Sequence, residues 1–309
     1  MCLHAISITT NDSPLLLEDL INNFNFYLTN SCFVIHISRR STFKFEEYSK
    51  LLTKFNNVIL NPIQHETYWG NIFPGHFSNL EIIASEQSIN SFGFHSTNDL
   101  LVKEFPPNFF KENSAGYHRH AIESDSVWFY KDNVLNDQKL ENLNRSFCQS
   151  TIVHSQVEGT YFPSHIIGDF FHILKKFDLG LHASYPIEEI YLPTIARNLD
   201  LECNTPPYLF SEVCRFMDAL ESIKIRNLHL GSDKVTRAFN FFLRKANLYA
   251  ISKIDVQNIR RHFLPSQHII ARNFSPVWSN YEIENLFAVK RVPRTLDSPL
   301  RMYINQPQD

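Results

Sequence analysis

The sequence predicts an α/β fold built on βαβ units, from two observations. Short apolar strands alternate with amphipathic helices through the first hundred residues, and the composition supplies a large core. Of 309 residues, 43% are hydrophobic and 20% charged, with 27 Phe and 12 Tyr, which suits one large domain or two intimately packed ones.

The elements follow in order. Residues 4–8 read as a short apolar strand, and the polar stretch from Thr9 through Ser13 to Pro14 carries helix-start chemistry. Residues 15–28 have the spacing of an amphipathic helix, 33–37 of a second buried strand, 45–55 of a second helix and 57–60 of a third strand. A fourth strand is expected at 91–95, running into the polar cluster at Ser96, Thr97, Asn98 and Asp99. Such sheets bind ligands beyond the carboxyl ends of their strands, so the loops starting at Thr9, Ser38 and Asn61 are expected to rim a pocket. Arg39 and Arg40 directly follow the second strand, where each suits either a phosphate or base contact or a solvated basic turn.

Charge and motif content narrow the function. A formal net charge of -3 and a pI near 6.5 give no overall attraction for nucleic acid or an anionic membrane. The five cysteines include no CxxC pair, and their odd number fits a reducing, cytoplasmic setting. Neither a signal peptide nor an apolar run near the ~20 residues of a membrane helix is evident, so a soluble chain is expected, with peripheral membrane contact left open. The 8 glycines form no GxGxxG or Walker loop, so a nucleotide must be held differently. His118 and His120 form a His-x-His pair without a completing Cys/His set; no metal site is expected, and the pair is read as part of a polar loop over the pocket.

Glu188 and Glu189 stand in an apolar and aromatic run, residues 184–194. One reading makes them acidic residues at a helix start, since Pro186 sits where a helix can begin. The other makes one of them a general base, made more basic by apolar neighbours and aimed at a hydroxyl.

Several segments, taken in order, resemble one family. Residues 34–38 resemble an IHxD strand end, Asn57-Val58 and Tyr68-Trp69-Gly70 resemble NV and VxxG-type elements, and residues 98–103 resemble a DFPxKT segment. Residues 157–162 resemble a GSAYF-like strand, 184–194 an SPDE-type motif and 271–274 an AxKF motif. The succession, from His4 to about Phe274, is similar to the core-2/I-branching β-1,6-N-acetylglucosaminyltransferase and peptide O-xylosyltransferase family in its shorter bacterial form.

The resemblance implies a GT-A-like mixed sheet flanked by helices, in one catalytic domain over 1–309. Residues 1–115 would form the nucleotide-sugar half, and 116–309 the acceptor half with the base and a basic C-terminal diphosphate site. It implies inverting transfer from a UDP-sugar, N-acetylglucosamine by default, to a hydroxyl of a surface glycan such as lipopolysaccharide or capsule oligosaccharide. No cofactor or essential metal is implied, and Asn98-Asp99 is an incomplete DxD. Glu189 falls on the catalytic base, and Glu188 on a neighbour that shapes the turn or touches the acceptor.

Thr9, Ser38, Arg39, Asn98 and Asp99 are the expected nucleotide-sugar contacts. Ser38 replaces an aspartate common in relatives, and Asn273 stands where the family has the AxKF lysine. Arg272, Arg260 or Arg261 is then expected to neutralise the diphosphate, with Lys290, Arg291 and Arg294 also among the cations of the final third. Glu158, Tyr161 and Trp69 are the acceptor candidates beside Glu188, while Trp128 reads as core. Two other classes stay open: a non-catalytic nucleotide-sugar or carbohydrate-binding protein, and a glycoside hydrolase pairing Glu158 with Glu189.

Overall fold

The computed structural model describes residues 3–110, 114–123, 130–147, 151–199, 201–211, 251–263 and 281–306. The first apolar run forms β1 (Leu3–Thr10), followed by α1 (Pro14–Tyr27), where Ser13 Oγ accepts from Leu16 N at 3.3 Å and Pro14 opens the helix. Then come β2 (Ser31–Ile37), α2 (Phe45–Leu52), β3 (Val58–Leu60), α3 (Phe73–Ser85) and β4 (Ile89–His95). These strands pair in parallel in the spatial order β3-β2-β1-β4.

Side chains alternate across the sheet as its pleat requires. Ile6, Ile8, Phe33, Ile35 and Ile37 join the core containing α1 and α2, while Ala5 and Val34 face α3. The helix α3 has no counterpart among the sequence-predicted elements, because Pro74, Gly75 and burial on several sides blur its periodicity. Gly75 lets its first turn settle on the strands: a Cβ there would lie 2.6 Å from Thr9 Oγ1 and 2.7 Å from His36 Nδ1. Asn79, one turn on, donates to the carbonyls of Ile8 and Val34 at 3.0 and 2.9 Å.

The rest of the chain extends the same sheet. After β5 (Leu100–Leu101), β6 (Ser114–Gly116) and β7 (His120–Ala121) come α4 (Lys131–Leu135), α5 (Gln138–Ser146), β8 (Val153–His154) and β9 (Tyr161–Pro163). β9 runs antiparallel to β4 and β6, and β10 (Glu202–Thr205) lies parallel to β6, giving seven strands in the order β10-β6-β9-β4-β1-β2-β3. The fold is thus α/β with a mixed sheet. A smaller sheet joins β5 to β11 (Leu209–Phe210) and β12 (Ala288–Val289), and helices α6 (Ile166–Lys176) and α7 (Tyr191–Asn198) pack with α3.

The C-terminal segment returns to the beginning. Helices α8 (Lys253–Arg260) and α9 (Pro299–Asn305) pack by α1, where buried Arg301 pairs with Asp19 and donates to Pro293 O at 2.9 Å. The two expected halves therefore share one sheet and interleave. No helix among the described residues is long and apolar enough to cross a membrane.

Candidate active site

Parallel sheets in this order reverse direction of growth between β1 and β4, and ligands bind outside the carboxyl ends at such a point. Here the loop after β1 is latched to the loop after β4. Asp12 accepts a hydrogen bond from Thr97 Oγ1 and one of 2.9 Å from Arg294 Nε. The loop after β2 presents the exposed Arg39, whose backbone N–H donates to His65 O at 2.9 Å.

Glu158 enters this edge because β9 is antiparallel to β4, which brings its preceding loop to the β4 carboxyl end. Gly159 N donates to Phe94 O at 3.0 Å, and Gly159 has a φ of 79°, with Leu209 Cβ only 2.4 Å from where a Cβ would sit. Lys290, immediately beyond β12, forms an ion pair with Glu158 in which both side chains are largely buried. Burial alone would push the Glu158 carboxyl up, but the Lys290 ammonium and its hydrogen bond hold it below the ordinary carboxylate range. His76, in the first turn of α3, also senses Glu158. Burial nevertheless pushes its imidazole down to about 3, so it stays neutral, with Nδ1 2.8 Å from Ser7 Oγ.

Glu188 and Glu189 lie on a short 3-10 turn, Ile187–Glu189, that leads into α7. The turn is pinned by Glu189 N donating to Pro186 O at 3.1 Å and by Ser155 N donating to Glu189 O at 2.9 Å. Glu188 is buried, with Oε2 lacking a hydrogen-bond partner, whereas Glu189 is half-buried. Burial pushes the Glu188 carboxyl up to about 7, with the Glu158 charge adding to the rise and the Ile72 N–H opposing it. Burial, then the charges of Glu188 and Glu158, raise Glu189 well above the carboxylate range. Three carboxyls and one ammonium thus share the site.

A cleft of about 240 Å³ opens beside this turn. One wall is the 68–71 turn, closed by Asn71 N donating to Tyr68 O at 2.8 Å, with Gly70 at φ 78° and Trp69 77% exposed at its tip. The other is His182–Tyr185, with Tyr130 between them. His182 Nδ1 lies 3.0 Å from Asn71 Oδ1, joining the walls.

The structure therefore gathers Glu158, Glu188, Glu189, Trp69 and Arg39 at the carboxyl edge, and selects Lys290 and Arg294 among the C-terminal cations. It corrects several other expectations. Ser38 is buried, and its hydroxyl is used up in binding Thr67 O, Thr67 N and Arg40 N. Thr9 Oγ1 is turned into the α3 interface against Gly75. Asp99 is fully buried, with its carboxylate taken by Ser96 and by His95 at 3.2 Å, while His95 contacts Tyr208 in turn. Asn98 remains at the edge but uses its side-chain oxygen on Ser96 Oγ at 2.6 Å.

Tyr161 is 3% exposed within a cluster of Phe109, Phe110 and Tyr208, so it is core rather than acceptor surface. Arg260 clamps the opposite edge: it donates to Val102 O at 2.8 Å and to Ile304 O at 3.0 Å, with Tyr27 at the far end of α1 as a further partner. Arg261 is exposed beside it, far from the glutamates in the topology. His118 and His120 are not a polar loop over the pocket. They gather with His154 at centroid distances of 5.1 and 5.9 Å, and burial lowers all three imidazoles. Among the described residues, no group of three or more His, Cys, Asp or Glu is arranged to hold a metal ion. Arg272 and Trp128 lie outside the described residues.

Asn71, Tyr130, His182 and His76 are site residues that sequence reasoning missed. The available signal was the loop after the third strand, expected to rim the pocket from Asn61 onward. No protein-family model and no curated protein matches the chain.

Proposed function

We propose that this chain is an inverting glycosyltransferase. It moves a sugar, N-acetylglucosamine by default, from a UDP-sugar to a hydroxyl of a surface glycan such as lipopolysaccharide or capsule oligosaccharide, at the cytosolic face of the membrane. The observation that carries this reading is the Glu188–Glu189 turn, two carboxyls of raised basicity held beside the Glu158–Lys290 pair at the carboxyl edge of the sheet. The GT-A-like arrangement is the finer form of the mixed α/β sheet, and the ordered set of family-like segments supports it.

In this mechanism Glu189, the more accessible carboxylate, takes the proton from the acceptor hydroxyl as its oxygen attacks the anomeric carbon. The bond from that carbon to the diphosphate oxygen breaks on the opposite face, and its electron pair leaves with the nucleotide. A base contributes ~10²- to 10⁴-fold, most when its pKa lies near the working pH. Buried Glu188 keeps Glu189 basic. Arg39, Arg294 and Lys290, cations at this edge of the sheet, offset the leaving charge of the diphosphate without an essential metal.

The test is a nucleotide-sugar panel assayed for binding and slow donor hydrolysis in EDTA. Binding of a UDP-sugar with EDTA-resistant turnover is expected. Strict dependence on added divalent metal would sink the metal-free mechanism, and indifference to every nucleotide sugar would sink the whole reading.

One observation favours a second reading. Glu158 is held ionised while Glu188 and Glu189 are raised, and a pair of carboxyls with separated pKa values is also what glycoside hydrolysis uses. Release of aglycone from aryl glycosides, with no response to nucleotide sugars, would identify that chemistry.

A further inference from the structure

The cleft at the 68–71 turn is built from features that elsewhere on the molecule would be costly. A tryptophan stands 77% exposed at the tip of a turn whose next residue, Gly70, adopts a φ of 78° that side chains rarely tolerate. The turn thus uses a position that suits glycine, next to a large aromatic face held in solvent, although such faces gain most from being covered. Tyr68 beside it is 49% exposed, and Arg40 sits 5.0 Å from its ring.

The opposite wall is polar. Ser184 Oγ accepts from Asn133 at 2.8 Å, and His182 is tied to Asn71. Among the described residues that line the cleft there is no Lys, Arg, Asp or Glu. At about 240 Å³ the space is smaller than the ~300–1,000 Å³ of sites for drug-sized molecules, and fits one ring rather than several. Both walls run directly into the reacting groups. Asn71 precedes Ile72, whose N–H reaches Glu188, and Tyr185 precedes Pro186, whose carbonyl closes the glutamate turn.

We infer that this cleft is a subsite for one neutral pyranose ring, the terminal residue of the acceptor glycan, with Trp69 stacked on its C–H face and Asn71 and His182 reading its hydroxyls. The inference rests on the transferase reading for the word acceptor, but the ring-binding itself does not require catalysis. A neutral ring is selected because no Lys or Arg lines the cleft to pair with a uronate or sialate carboxylate, and Arg40, over the Tyr68 ring, is already paired with Glu66. Asn71 and His182 act as specificity-determining residues, since hydrogen-bonding groups that a wrong sugar leaves unpaired discriminate strongly.

The experiment uses the full chain and methyl glycosides of galactose, glucose, N-acetylglucosamine and glucuronic acid, with no nucleotide present. Saturation-transfer NMR and calorimetry read binding. At least one neutral glycoside is expected to bind, Trp69→Ala to weaken it tenfold or more, and His182→Ala to change the ranking among neutral sugars. Circular dichroism verifies that the exposed Trp69 and His182 variants remain folded. Tighter binding of the glucuronide, absence of any neutral binding, or neutral binding unchanged in Trp69→Ala would each overturn the inference. A chain that binds neutral rings through Trp69 yet transfers from no nucleotide sugar would retain the subsite and lose only the transferase reading.

Discussion

Lys290 holds Glu158 in an ion pair at the same edge where burial keeps Glu188 and Glu189 reluctant to ionise. The ammonium lowers all three carboxyls, so removing it leaves the cluster one cation short. Lys290→Met is therefore expected to shift the acid limb of kcat/KM to higher pH, by about one unit or more. The sign follows from the base: transfer needs an ionised carboxylate, and a higher pKa delays its appearance as pH rises. A profile that merely scales down, with its limb unmoved, would detach Lys290 from the titration.

Glu188 carries a stability cost of its own. Its folded pKa, about 7, lies above its unfolded value, so between about pH 4.5 and 7 the folded chain retains a proton that the unfolded chain releases. Its contribution to stability is fully present below that window and is lost as pH rises through the folded pKa, a change of about 3 kcal/mol. Glu188→Gln should accordingly raise Tm at pH 8 by several degrees and by much less at pH 5. Equal gains at both values in thermal unfolding would show that the carboxyl is not held protonated by its site.

Glu189→Gln keeps the shape of the turn, whose pinning bonds are made by backbone atoms, and removes the base. Transfer is expected to fall by ~10²-fold or more, with nucleotide affinity held within about twofold. Single-turnover kinetics alongside UDP titration separates the two. Undiminished turnover would exclude Glu189 as the base.

The N-terminal strands and helices were legible in the sequence because the strands are short continuous apolar runs and the helices between them are amphipathic. β1, α1, β2, α2, β3 and β4 lie within a few residues of their expected places. The helix α3 was not legible, since its first turn is shaped by Gly75 lying against Thr9 and His36, a contact between distant segments. The same limit applies to the site. Glu188 and Glu189 stood out as local acids in an apolar run, and Glu158 and Trp69 through family-like segments. Which cation would join them depended on the return of the chain through β12, which the spacing of basic residues does not encode. Asp99 and Ser38 misled for the same reason: polar residues after strands suit a ligand loop, but here they bind the loops to one another.

Arg260 gives the clearest contrast between a basic residue that serves the fold and one that serves the ligand. Its guanidinium ties the end of α8 to Val102 O, Tyr27 Oη and Ile304 O, joining the edge of the sheet opposite the glutamates to α1 and α9. Removing the donors leaves carbonyls in a partly buried seam without their partners, a loss of about 2–4 kcal/mol for several such bonds. Arg260→Met is expected to lower Tm markedly, while UDP affinity, measured by calorimetry at a temperature where the variant is folded, stays within about twofold of the parent. Arg260→Lys should recover part of the stability, because one ammonium reaches one or two of the three acceptors but cannot span the planar fork. A tenfold loss of UDP affinity with Tm unchanged would place the diphosphate at this edge of the sheet and move the nucleotide site away from Asp12, Thr97 and Arg294.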